Sequence, residues 1–202
     1  MNAPPRTVIA AFITITFLAG ANVIVVRVSN FELAPFWGAA LRFLVAGIIL
    51  TVGAAFLRLP FPKRGALLGS ALYGLLGFGV AYAVLYWALV GLNAGLFAIF
   101  GALVPLMTFF LAWSHGLERF RWTGLAAAVI VVAGVTLILQ EQLSLDVPIK
   151  YLIGGLLAPL AIAESGIAAK FVPRTHPVTT NAVAMLVGAA YLFAFSLLVG
   201  ER

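Results

Sequence analysis

Charged residues in this chain fall almost entirely in short gaps between seven long apolar runs, at residues 8–26, 36–57, 65–89, 95–114, 122–140, 151–171 and 179–199. A helix that crosses the hydrocarbon core of a bilayer takes about 20 apolar residues, and each run is close to that length. Backbone N–H and C=O groups in lipid must be bonded within the protein, which leaves helices and closed barrels as the only spanning structures. The runs do not alternate apolar and polar residues with a period of two, so they read as helices and not as barrel strands. The predicted fold class is an all-α integral membrane protein, a multi-span helical bundle.

Composition agrees: 64% of residues are hydrophobic, 9% are charged and the mean hydropathy is +1.16, well outside the range of soluble domains. The formal charge of +6 would point to nucleic acid in a soluble chain, but here the basic residues are sorted by side of the membrane. Counted in alternate gaps, one side holds Arg6, Arg58, Lys63, Arg64, Arg119, Arg121, Lys170 and Arg174, while the other holds Arg27, Lys150 and Arg202. By the positive-inside rule the first set faces the cytoplasm. The expected location is the plasma (inner) membrane, with the N-terminus inside. No basic run is dense enough to track a phosphate backbone, so nucleic acid is not an expected partner. Arg6, the apolar stretch after it and Ala19-Gly20-Ala21 have the outline of a signal peptide, but apolar character continues through Val26 and favours a retained first helix.

The one long polar connection, Gln140 to Lys150, marks a module boundary. It divides the chain into a five-helix module at 1–140, a linker at 141–150 and two further helices at 151–202. Asn22 to Pro35 reads NVIVVRVSNFELAP, and Ser165 to Pro177 reads SGIAAKFVPRTHP. Each places a small polar residue five positions before a cation, and a proline seven or eight positions after it. Five spans precede the second copy, so it enters the membrane from the opposite side, as in the inverted repeats of secondary transporters. A five-span module and its copy make ten spans, of which about seven are present. The tail Leu197-Leu198-Val199-Gly200-Glu201-Arg202 shows no feature that would close a bundle.

Several residues carry a family likeness. They are Pro35 with Ala39-Ala40-Leu41-Arg42-Phe43, then Gly74-Leu75-Leu76-Gly77-Phe78 leading to Tyr86-Trp87-Ala88-Leu89, then Asn93-Ala94-Gly95. Pro105, Gly116-Leu117-Glu118-Arg119, Gly124 and Gly134 continue the series. In order and spacing these resemble the EamA module of the drug/metabolite transporter superfamily. The resemblance covers one whole module over residues 8–140, with residues 150–200 similar to the first two spans of another. It implies a carrier of small metabolites that works by alternating access around a central cavity between two inverted modules. The superfamily's substrates differ widely, so the resemblance does not choose among amino acids, amines, nucleosides or drugs.

Glu164 is the leading candidate for chemistry, because it sits about seven residues, or ~10 Å of helix rise, inside the sixth span. A carboxylate there must pair, protonate or face water. One that takes up and releases a proton couples substrate movement to a proton gradient; the plainer reading is a static partner for Lys170 or a serine hydroxyl. Arg42 lies about six residues inside the second span, where it either attracts an anionic substrate group or pairs with Glu32. Asn22 and Ser165 occupy corresponding places in the two repeats and either line the cavity or bond across helices. Tyr82 and Tyr86, four apart, share a helix face with Gly79 one turn below, which suggests a gap beside two aromatic rings. The alternative for Tyr86 and Trp87 is the aromatic belt of the outer interface. Pro105, halfway along the fourth span, should kink it as a gate or as packing geometry.

Metal is not expected: cysteine is absent, and His115 and His176 form neither HExxH nor an i,i+4 pair. No cofactor is implied, no nucleotide-binding loop is present, and no paired catalytic groups share one depth, so an enzyme is not expected. The expected function is secondary active transport, as an exporter of small organic metabolites or drugs, with a small-molecule substrate and the lipid bilayer as partners. The alternative is an incomplete or split membrane module that assembles as a homo-oligomer or with a complementary half-transporter chain and does not transport alone.

Overall fold

A computed structural model describes residues 6–142, 147–173 and 175–201. Seven helices follow the seven apolar runs: α1 (Arg6–Glu32), α2 (Pro35–Phe56), α3 (Gly65–Gly91), α4 (Ala94–Ser114), α5 (Trp122–Gln142), α6 (Ile149–Lys170) and α7 (Pro177–Leu198). Among the described residues there is no strand. α1, α2, α3, α4, α6 and α7 are long and apolar enough to cross a membrane, and among the described side chains of α5 the apolar stretch is Trp122–Leu137. The linker residues 143–146, and Arg174 and Arg202 of the charge count, lie outside the described residues.

Local chemistry explains where the helices begin and end. Pro35 and Pro177 stand in the first turn of α2 and α7, where a missing N–H costs nothing. Asn93 caps α4 by accepting the Leu96 N–H at 2.7 Å. Both α2 and α7 close with a left-handed residue, Arg58 at φ 51° and Gly200 at φ 73°. After each, an amide reaches back to an orphan carbonyl: Leu59 N to Ala54 O at 2.9 Å and Glu201 N to Ser196 O at 3.0 Å.

Two helices depart from simple expectations. The first runs to Glu32, six residues past the apolar run, because the polar residues of its last turns find partners on α3. The fourth is broken at Ala102–Leu103, with Pro105 in the first turn of the half that follows, Val104–Ser114. The proline therefore starts a new helical segment and does not bend a continuous one.

α3 is the central element. Its α-helical ends, Gly65–Gly74 and Ala81–Gly91, flank a π-helical stretch, Leu75–Val80, packed against α6 and α7. π-Bulges of this kind often mark functional sites. Lipid tails are as apolar as leucine, so membrane helices associate through close packing and hydrogen bonds and not through apolar burial alone. Small side chains supply that closeness: Ala39, Ala40, Ala81, Ala88, Ala158, Ala182 and Ala184 are fully buried. Gly74 lies so near the Ala184 backbone, and Gly188 so near Phe78, that neither position has room for a Cβ. α2 and α7 pack along their length at the core, whereas α1 leaves Phe12, Ile13, Ile15 and Phe17 exposed, a surface suited to acyl chains.

Candidate functional site

Val80 and Val84, at the junction of the π segment with the second half of α3, form one wall of two cavities. The first, of about 430 Å³, lies between α2, α3 and α7 and is lined by Phe36, Val80, Ala83, Val84, Trp87, Tyr191, Phe195 and Val199. The second, of about 420 Å³, lies between α3, α4 and α6 and is lined by Leu76, Val80, Val84, Leu111, Leu157, Leu160, Ala161 and Glu164. Both fall in the size range of small-molecule sites. A third cavity, of about 390 Å³ between α4, α5 and α6, has Thr136 as its polar residue, and that hydroxyl already donates to Val132 O at 2.8 Å.

Glu164 at the lip of the second cavity faces His115, the residue that ends α4, with Nε2 and Oε1 3.3 Å apart. His115 Nδ1 lies 2.8 Å from Leu111 O, an acceptor with no proton to offer. Nδ1 therefore carries a proton, and the carboxylate meets the other ring nitrogen. That contact is attractive only when a proton lies between them, on the ring or on the carboxyl. The pair thus joins the end of α4 to α6, with both side chains about two-fifths exposed. The partner is neither Lys170 nor a serine. The signal for it in the sequence is positional: the end of the fourth run and the last third of the sixth fall on the same side of the membrane.

At the other end of the bundle, Arg42 donates to Asn22 Oδ1, linking α2 to α1, and Glu32 is not its partner. Arg27 donates to the carbonyls of Leu89 and Val90, the latter at 2.7 Å, and Asn30 Nδ2 donates to Tyr86 O at 3.1 Å. The two Arg27 bonds satisfy orphan carbonyls at the C-terminus of α3, where a cation also meets the negative end of the helix dipole, and Asn30 adds a bond one turn further in. The extension of α1 past its apolar run is thereby accounted for.

Among the aromatic and small polar candidates, Asn22 takes the bond across helices just described and the others pack against neighbouring side chains. Tyr82 sits edge-on to Phe43, ring centroids 4.6 Å apart, and stacks over Phe78 at 6.1 Å. Tyr86 is fully buried in the core and is not at the lipid interface. The space expected beside Gly79 is filled by the ring of Tyr191. Ser165 is buried against Gly77 and donates to Ile162 O at 2.8 Å. Neither cavity on α3 is lined by Asn22, Tyr82, Tyr86 or Ser165. No cluster of metal-ligating side chains occurs among the described residues.

One contact has no counterpart among the expectations. Glu201, in the tail after α7, accepts the backbone N–H of Phe36 at 3.1 Å and of Trp37 at 3.1 Å, and the Ser196 hydroxyl at 2.9 Å. The tail therefore does hold a closing feature: its carboxylate caps α2 from the far end of the chain.

Comparison with curated proteins and with solved structures gave no match. A profile of the EamA-like transporter family matches residues 6–140, which is α1 to α5 less the last two residues of α5. Seven apolar helices around a glycine- and alanine-rich core, with that match over two thirds of its length, show that this multi-pass membrane protein belongs to the EamA-like transporter family.

Proposed function

We propose that the protein is a secondary active transporter that exports small organic metabolites or drugs across the plasma membrane by alternating access, with its N-terminus in the cytoplasm. The observation that carries the proton-coupled form of this reading is the His115–Glu164 pair at the lip of an apolar cavity on α3. A site that holds one proton between two groups on different helices can link protonation to helix movement. Substrate would move along the wall of Val80 and Val84. Asn22 with Arg42, and Tyr82 with Phe43, are candidate contacts at the opposite end, while Tyr86 and Ser165 would shape the path through packing.

Residues 1–140 are read as one module and 151–202 as the opening helices of an inverted second one. Support comes from α2 and α7, each 22 residues long, each opened by a proline and each ended by the same left-handed closure. The test is transport in liposomes loaded with a pH-sensitive dye, under an imposed proton gradient, across a panel of amines, amino acids and nucleosides. Glu164→Gln should fold normally and lose gradient-driven accumulation. Unchanged accumulation at every pH in that variant would remove the coupling role.

A second reading has its own support. α6 is packed against α3 and α4, yet α1, its counterpart in the proposed repeat, has Val26 as its one buried side chain among the described residues. A split module would cover α1 with another chain. Mass measurement in detergent decides: a defined oligomer with protected α1 side chains favours assembly, and a monomer with α1 accessible removes it.

A further inference from the structure

We propose that Glu201 is a gate lock: its carboxylate holds the outer ends of α2 and α7 together over the cavity between α2, α3 and α7, and that cavity opens when the carboxylate lets go.

The geometry is specific. Gly200, in the left-handed conformation that glycine adopts without strain, turns the chain back after α7, and the Glu201 amide anchors the turn on Ser196 O at 3.0 Å. That turn aims the Glu201 side chain across to α2. There Pro35 leaves the Phe36 and Trp37 amides as the first free donors of the helix, and both point at the carboxylate. Ser196, fully buried on α7, donates to the same Oε2 at 2.9 Å, so one carboxylate ties two helices through three donors. Bonds to an ionised acceptor are about twice as strong as neutral ones.

The lock stands directly on the cavity rim. Phe36, whose amide it holds, and Val199, two residues before it, both line the cavity. Phe36 packs edge-on against Phe195 at 4.9 Å, and Trp37 against Phe193 at 4.8 Å, so the rings of α2 and α7 interlock just below the carboxylate. Moving the start of α2 away from α7 must break both amide bonds to the carboxylate and separate both ring pairs together, while the Ser196 bond stays with α7. The contact is therefore a two-state element and not a graded one. This inference adds an outer gate to the transport reading, but its geometry does not depend on what is transported.

The chain has no cysteine, so single cysteines report without background. Ala83→Cys places a thiol in the cavity wall, at a position that is nearly inaccessible. The reaction of that thiol with a membrane-impermeant maleimide is measured in right-side-out and inverted vesicles, alone and combined with Glu201→Ala, Glu201→Gln or Ser196→Ala. Val199→Cys, at a position already exposed, reports that each variant is folded and reached by the reagent. Glu201→Ala should raise the labelling rate of Ala83→Cys by about tenfold or more from the side where α2 begins, with Glu201→Gln and Ser196→Ala giving smaller rises. Transport failure in another assay would leave this readout intact. A labelling rate of Ala83→Cys left unchanged by Glu201→Ala, with Val199→Cys reacting normally, would overturn the lock. So would an equal rise caused by Thr179→Val at the opposite end of α7, since that would mean general loosening.

Discussion

The α2–α7 pair is fastened at both ends, but by different chemistry. At one end the Glu201 carboxylate takes two amides from the first turn of α2. At the other, the Thr179 hydroxyl in the first turn of α7 reaches Pro60 O, just past the end of α2, at 2.9 Å, with His176 O as an alternative acceptor at 3.0 Å. Thr179 is fully buried and neutral, so water has little access to the bond. Glu201 is only partly buried, and water can compete for its charge. Similar helix ends are thus held by a buried neutral fastening on one side and a partly exposed charged one on the other. The end of the bundle where α7 begins has its own partly exposed contact elsewhere, between α4 and α6, in the His115–Glu164 pair. A carrier that opens to alternate sides needs contacts of this second kind at each end, with a rigid unit between them.

That rigid unit is where the contrast is most easily destroyed. Gly74→Val drives a branched side chain into the Ala184 backbone, which has no rotamer to yield, and should cost ~3 kcal/mol or more. The expected result is loss of the monodisperse folded protein by fluorescence-detected size exclusion; a normal profile and melting temperature would mean that α3 and α7 are not in close contact.

A smaller change sharpens the comparison. Thr179→Val keeps the shape of the buried side chain and removes its hydroxyl, so stability should fall by ~1 kcal/mol, read as a modest drop in melting temperature. Accessibility of the cavity at the other end should not change. The smallest effect is expected for the pair between α4 and α6. In a double-mutant cycle of His115→Ala and Glu164→Gln, the coupling in stability should be about 0.5 kcal/mol, because both groups are partly solvated. A coupling several times larger would make this pair a structural fastening like Thr179 and undo its grouping with the partly exposed contact at Glu201.

The limits of sequence reading can be traced to particular residues. Glu164 stands out because an acid within an apolar run is costly, a fact visible in one dimension. Its partner does not stand out, since His115 lies in an ordinary polar gap 49 positions earlier. Arg42 is conspicuous for the same reason as Glu164, yet the nearest acid along the chain is not what it meets: α1 crosses α2 so that Asn22 receives the guanidinium. Gly79 suggests empty space in the sequence because the tyrosine that fills it comes from α7. Pro105 is legible as a disturbance, but whether it bends a helix or begins one depends on the turn at Ala102–Leu103.

Apolar run lengths and charge asymmetry are local quantities, and in a bilayer they are nearly sufficient for the helices and their expected direction, because lipid offers the backbone no other partner. The polar pairings between helices join residues far apart in sequence: Glu201 with Phe36, His115 with Glu164, Arg27 with Leu89. Each depends on which small residues let two helices approach and at what height. Those choices are made by packing between helices, and no single helix contains them.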